Sequence, residues 1–91
     1  MKDLKTCREM IDTIDRDMMA LFEKRMAVVK DVVLYKQRHG LEIFQSDREQ
    51  EVIAKAVACL DDHTLDNYAR VFIKHMMDVS KQYQKDIVEH E

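Results

Sequence analysis

The chain has 91 residues, a formal net charge of -3 and a pI near 5.8, and this length is that of one small domain. The slightly acidic balance disfavours a general nucleic-acid binder, which usually has a strong basic excess. Residues 1–5 are too charged for a secretory leader, and no apolar run approaches the ~20 residues of a membrane span. We therefore expect a cytoplasmic protein that binds neither nucleic acid nor membrane.

The composition favours helix throughout, because the chain has no proline and one glycine and is rich in strong helix formers. Cys7 and Cys59 lack CxxC spacing and are expected to be reduced thiols that serve as packing residues. The four histidines lack the paired spacing of metal ligands, so we expect no metal site. These features predict an all-α protein.

The first predicted helix covers about residues 4–38 and ends at Gly40, which suits a left-handed C-cap. A seam with alternating spacings of three and four residues supports it: Leu4, Cys7, Ile11, Ile14, Met18, Leu21, Arg25, Val28, Val32 and Tyr35. Such a helix is roughly 50 Å long, which exceeds the width of a compact domain of this size. We expect it to pack against something outside its own chain.

A loop is predicted at residues 39–46, followed by a second helix at about residues 47–60. Ser46 and Glu49 have the spacing of a capping box, with Ser46 as the N-cap. Apolar residues recur at helical spacing after it.

A third helix is predicted at about residues 65–88, with Thr64 or Asp66 as its cap. No repeat and no shift in composition marks a boundary, so a single domain at residues 1–91 is expected.

Arg25 lies in the seam at a position where an aliphatic side chain is expected, and an unpaired buried guanidinium is costly. Glu23 or Asp31 is a possible partner, and exposure of the guanidinium to solvent is another solution. Lys36 lies on the same helical face, within about 20° of Arg25 and roughly 16 Å farther along the axis. Two cations on one face favour an anion as their partner.

Further polar residues on the other two helices suit the same ligand. Arg48 and Glu49 lie near a helix N-terminus, where the dipole favours anions, although Glu49 also suits a purely capping role. Ser80 and Gln84 are one turn apart and share a stripe, a pattern that is also common on exposed surfaces. Together with the two cations, they form a plausible pocket for a small dianion that carries a hydroxyl.

In order and approximate spacing, these residues resemble the all-helical class of chorismate mutases over nearly the whole chain. The segments that carry the resemblance are Cys7-Arg8-Glu9-Met10-Ile11-Asp12-Thr13-Ile14-Asp15, Leu21-Phe22-Glu23-Lys24-Arg25, Val32-Val33-Leu34-Tyr35-Lys36, Asp47-Arg48-Glu49, and Ser80 with Gln84. The resemblance implies three helices per chain in an intertwined helical homodimer. It also implies rearrangement of chorismate to prephenate in phenylalanine and tyrosine biosynthesis, without cofactor or metal.

The resemblance assigns a role to each polar position. Arg8 and Arg25 hold the two carboxylates of the substrate, and Ser80 lines the carboxylate pocket. Lys36 and Gln84 donate to the ether oxygen of the breaking bond. Glu49, with Arg48 beside it, contacts the ring hydroxyl and a nearby carboxylate.

Gln45 stands where many members carry an acidic residue, although its amide can still make a hydrogen bond to the hydroxyl. Arg8 and Arg25 are roughly 25 Å apart along one helix, so they cannot hold the same small molecule within one chain. An antiparallel pairing with a second copy would bring Arg8 of one subunit toward Arg25 and Lys36 of the other.

Two other functions are compatible with this fold. An isochorismate-pyruvate lyase resembles it and reuses the arginine and lysine positions, but Asp47-Arg48-Glu49 favours the mutase. A non-catalytic helical dimerisation or regulatory module is also possible, because a fold is shared more widely than a function. The presence of both Lys36 and Gln84 argues against that module.

Overall fold

A computed structural model describes residues 2–90, with the exception of the side chain of Ser46. These residues form three α-helices, α1 (Leu4–Arg38), α2 (Ser46–Ala58) and α3 (Asp66–Glu89). A short 3-10 helix, His63–Leu65, leads into α3. The predicted all-α fold with three helices is confirmed.

Both ends of α1 are capped by local hydrogen bonds. The carboxylate of Asp3 accepts from the backbone N–H of Thr6 at 2.7 Å, as an N-cap does. At the other end, Gly40 has a φ of 64°, the left-handed conformation that glycine adopts without strain. The N–H of Leu41 donates to the carbonyl of Lys36, and that of Gly40 donates to the carbonyl of Gln37. This is a Schellman motif, and the predicted glycine C-cap is confirmed.

The starts of α2 and α3 differ from the predictions. Gln45, rather than Ser46, occupies the N-cap position of α2, without a side-chain capping bond; the side chain of Ser46 lies outside the description. Before α3, the carboxylate of Asp62 caps the 3-10 helix by accepting from the N–H of Thr64 at 3.0 Å. The prediction of Thr64 or Asp66 as the cap of α3 was wrong: its N-cap position is Leu65, without a side-chain capping bond, because the turn at Asp62 starts a 3-10 helix that runs directly into α3.

The three helices pack through α3, which contacts both α1 and α2. In the described part of the chain, each helix contributes one buried apolar residue: Val33 from α1, Val57 from α2 and Met77 from α3. Phe22, Met26 and Val29 are half-buried and lead to Val33 with spacings of four, three and four residues. The apolar residues of α1 that pack within the chain are therefore different from those of the predicted seam.

Most of the predicted seam is exposed in the single chain, whereas its members Cys7 and Arg25 are half-buried. Ile11, Ile14, Leu21 and Val28 are each more than half exposed, and every residue from 8 to 21 is exposed. The chain measures 54 × 26 × 15 Å, and its longest dimension is close to the roughly 52 Å length of α1. The N-terminal half of α1 therefore extends beyond the packed part of the chain.

Both cysteines are free thiols. Cys7 is half-buried, but Cys59 is exposed at the end of α2, so the expectation that Cys59 is a packing residue was wrong. Within residues 2–90, no helix combines the length and apolar character that are needed to cross a membrane.

Candidate functional site

A hydrogen bond between Arg25 and Ser80 joins α1 to α3. Arg25 is half-buried and donates from Nη1 to Oγ of Ser80. Ser80 is only 5% exposed, and its hydroxyl donates in turn to the carbonyl of Met76 at 3.0 Å. The proton of the Ser80 hydroxyl is thus used in the bond to Met76 within α3, and Oγ of Ser80 can accept the hydrogen bond from the Arg25 guanidinium.

Gln84 lies one turn farther along α3 and is 8% exposed. Its Nε2 donates to the carbonyl of Ser80 at 3.4 Å, whereas its Oε1 has no hydrogen-bond partner among the described residues. A buried polar atom without a partner costs about 1 to 3 kcal/mol. The amide of Gln84 is therefore a buried group with spare hydrogen-bonding capacity one turn from Ser80.

Lys36 connects α1 to the loop that precedes α2. Its Nζ donates to the backbone carbonyl of Ile43 at 2.7 Å. Burial lowers the pKa of Lys36 and of Arg25 below their ordinary values, because desolvation disfavours the charged form. The ion pairs found among residues 2–90 include neither cation, so Glu23 and Asp31 do not pair with Arg25. Half-buried cations without a carboxylate partner favour an anionic ligand.

Glu49 projects from α2 toward α3 instead of capping its own helix. Its side chain is 11% exposed, and its Oε1 lies 2.8 Å from Nζ of Lys74. Its Oε2 lies 3.4 Å from Nζ of Lys81. The predicted alternative, a purely capping role for Glu49, was therefore wrong.

The lysines also set the charge of Glu49. The hydrogen bond from Lys74 lowers the pKa of this carboxyl below its ordinary value of 4.5, with a further contribution from Lys81, and the same contact raises the pKa of Lys74. A lowered pKa in the folded state means that the stabilisation is present above about pH 4.5 and is lost as the pH falls through the folded-state pKa. Glu49 is therefore an anion throughout the neutral range.

The structure does not bring the remaining predicted site residues to Arg25 and Ser80. Arg48 is exposed and pairs with Glu51 on its own helix at 3.0 Å. Gln45 is exposed and shares an open depression with Arg48. Arg8 is exposed on the extended half of α1. A single chain thus forms the centre of a site and lacks the second arginine there.

Sequence reasoning missed Ile43, Lys74 and Lys81 as neighbours of site residues. The spacing of Lys74, Asp78 and Lys81 on α3 indicates a charged stripe, and Asp78 forms ion pairs with both lysines. That Glu49 faces this stripe depends on how α2 packs against α3. Within residues 2–90, no cluster of three or more potential metal-ligating His, Cys, Asp or Glu residues is found.

Comparison with known proteins identifies the class to which this helical fold and cationic site belong. Residues 7–85 match the chorismate mutase type II family, and the chain belongs to that family, whose enzymes are isomerases. The chain is 43% identical over 49 residues to the T-protein of Haemophilus influenzae. This aligned segment covers 54% of this chain and 13% of that protein. It is 35% identical over 52 residues to the T-protein of Enterobacter agglomerans, which covers 57% and 14% respectively. The chain thus matches only about one seventh of the length of these relatives, and no solved structure matches it.

Proposed function

We propose that this chain is a chorismate mutase, which converts chorismate to prephenate by an intramolecular Claisen rearrangement. The observation that supports this most strongly is the partly buried hydrogen bond from Arg25 to Ser80, with Gln84 one turn farther along α3 and Lys36 on the same helix as Arg25. The resemblance gives four residues a role at the breaking bond or at a carboxylate of the substrate: Arg25, Lys36, Ser80 and Gln84. All four are half-buried or buried between α1, α3 and the loop.

The present contacts of these side chains leave donors for a substrate. Lys36 has three N–H donors, of which one reaches Ile43, and the amide of Gln84 has two, of which one reaches Ser80. Both residues can therefore donate to the ether oxygen of chorismate without losing the contacts that position them. Arg25, a planar fork of donors, would hold a carboxylate of the substrate.

The reaction needs no proton transfer, so no general base is assigned. Catalysis would come from holding the substrate in its reactive conformer and from stabilising the negative charge that develops on the ether oxygen. Lys36 and Gln84 supply that stabilisation in a partly desolvated site, where electrostatic interactions are stronger than in water. Glu49 would accept a hydrogen bond from the ring hydroxyl, because a carboxylate has about four acceptor positions and the two lysines leave some of them open. Arg48 and Gln45 would contribute from the depression beside the loop.

The site would be completed by a second copy of the chain. The exposed apolar residues of the extended half of α1, such as Ile11, Ile14 and Leu21, suit an antiparallel pairing about a two-fold axis. That pairing would place Arg8 of one subunit near Arg25 and Lys36 of the other. Each of the two sites would then be built mainly by one chain.

The direct test is to follow chorismate absorbance with the purified chain and to identify the product. We expect prephenate to form without metal, nucleotide or flavin, and EDTA to leave the rate unchanged. Untouched chorismate would refute the proposal. So would faster formation of pyruvate and salicylate from isochorismate.

A further inference from the structure

We propose that Lys81 is a positioning residue that holds Glu49 and the loop before α2 in register for the ring hydroxyl of the substrate. This inference rests on the proposed function and adds a residue to it. Lys81 lies immediately after Ser80 in α3.

Lys81 is held by three groups that come from different parts of the chain. Its Nζ lies 3.4 Å from Oε2 of Glu49 and 3.4 Å from Oδ1 of Asp78. The same ammonium lies 4.4 Å from the ring centroid of Phe44, within the range of a cation–π interaction. A flexible lysine with three partners has far fewer accessible conformers than one in solvent. It therefore links α2, α3 and the loop at one point.

The two lysines that contact Glu49 engage different oxygens. Lys74 binds Oε1 and Lys81 binds Oε2, so together they restrict rotation of the carboxylate. The side chain of Lys81 is 34% exposed, against 47% for Lys74, and solvent therefore screens the Lys81 contact less. Without Lys81, Oε2 would lose its partner and the carboxylate would be held at one oxygen only.

Lys81 also acts on the loop. Phe44 directly precedes Gln45, and Lys36 donates to the carbonyl of the residue before Phe44. One lysine from α1 and one from α3 thus hold two successive loop residues. This arrangement sets the position of Gln45 relative to Glu49. These are the two residues that we expect to face the ring hydroxyl.

The effect of removing Lys81 should fall on binding rather than on the chemical step. The hydroxyl contact is the same in substrate and transition state, and loss of such uniform binding raises KM while leaving kcat unchanged. Lys81→Met removes the ammonium and keeps an unbranched stem. We expect KM to rise about three- to fivefold, the scale of a partly exposed ion pair, and kcat to stay within about twofold.

Four companion measurements separate positioning from a merely structural role. Lys81→Arg keeps the cation and should restore KM, whereas Lys85→Met, which alters an exposed lysine of the same helix, should leave KM unchanged. A chorismate analogue with hydrogen in place of the ring hydroxyl should bind equally well to wild type and to Lys81→Met. The carboxyl carbon of Glu49, followed by NMR, should titrate at higher pH in Lys81→Met.

The outcomes distinguish this inference from the proposed function. If wild type converts chorismate and Lys81→Met has the KM of Lys85→Met, the role of Lys81 is refuted and the mutase proposal stands. If wild type leaves chorismate untouched, the proposed function fails, and the NMR titration still shows whether Lys81 acts on Glu49. The inference is overturned if Glu49 titrates in Lys81→Met as it does in wild type. It is also overturned if Lys81→Met weakens binding of the analogue as much as it weakens binding of chorismate.

Discussion

The two halves of α1 have the same helical geometry but very different surroundings. From residue 22 onward, one face packs against α3, and Val33 is completely buried. Residues 8–21 are exposed, and this half carries Ile11 and Ile14, which are each more than half exposed. The C-terminal half provides Arg25 and Lys36, whereas the N-terminal half carries Arg8.

The difference shows that helix formation and burial are separate requirements. Strong helix formers and the Asp3 cap suffice to define the N-terminal half. Most helical stability in proteins nevertheless comes from packing an amphipathic face, and an exposed apolar patch often marks an interaction surface. The contrast is the reason why we propose a second copy as the partner of the N-terminal half.

Lys36→Ala, in the packed half, should have the largest effect. It removes the charged donor that we propose acts on the developing negative charge, and loss of such a donor costs roughly 2.7 to 4 kcal/mol, or about 100- to 1000-fold in kcat. Circular dichroism should show an intact fold, and Lys30→Ala, an exposed position of the same helix, is the control. A loss of less than about tenfold would mean that Lys36 does not act on the reacting bond.

Val33→Ala and Ile14→Ala compare the two halves by stability. Val33→Ala removes a fully buried side chain and should lower the free energy of unfolding by roughly 1.5 to 3 kcal/mol. If the exposed half is a dimer interface, Ile14→Ala should also destabilise, and the urea midpoint of wild type should rise with protein concentration. A neutral Ile14→Ala with midpoints independent of concentration would show that the N-terminal half has no partner.

Gln84→Glu tests, through the pH dependence of the rate, whether Gln84 of α3 acts together with Lys36 of the packed half. Wild type should be nearly flat from about pH 6 to 8, because the amide of Gln84 does not titrate and Glu49 stays ionised there. In the variant, only the protonated carboxyl donates, so the rate should fall about tenfold per pH unit above its pKa. Activity should thus shift toward acid. A pH–rate profile like that of wild type would indicate that Gln84 does not touch the ether oxygen.

The smallest expected change in activity relative to wild type is that of the mixed dimer of one Arg8→Ala chain and one Lys36→Ala chain. If Arg8 acts across the interface, one site of this dimer is intact and the other carries both defects. Activity should then be about half that of wild type, whereas each parent homodimer is nearly inactive. Co-expression with two affinity tags isolates the mixed species. Recovery of no activity would place Arg8 in the site of its own chain.

The candidate site was predicted from the sequence by residue type and position, and the structure adds the burial and the contacts of these residues. The roles of Arg25, Lys36, Ser80 and Gln84 followed from a family resemblance, and the structure buries these residues partly or fully. Their roles, and those of Arg8, Gln45, Arg48 and Glu49, remain predictions. The lysine partners of Glu49 and the Ile43 carbonyl were missed, because they lack a sequence signal that connects them to the site.

The sequence by itself determined the three helices, the glycine C-cap of α1 and the positions of the polar residues along each helix. These features depend on interactions within a few residues, such as backbone hydrogen bonds, caps and helical periodicity. Only the tertiary structure decided which face of α1 packs within the chain, that Arg25 donates to Ser80, and that Glu49 lies between two lysines of α3. These contacts join residues 25 to 55 positions apart. They depend on how whole helices are oriented against one another, and the local pattern of each helix does not specify that orientation.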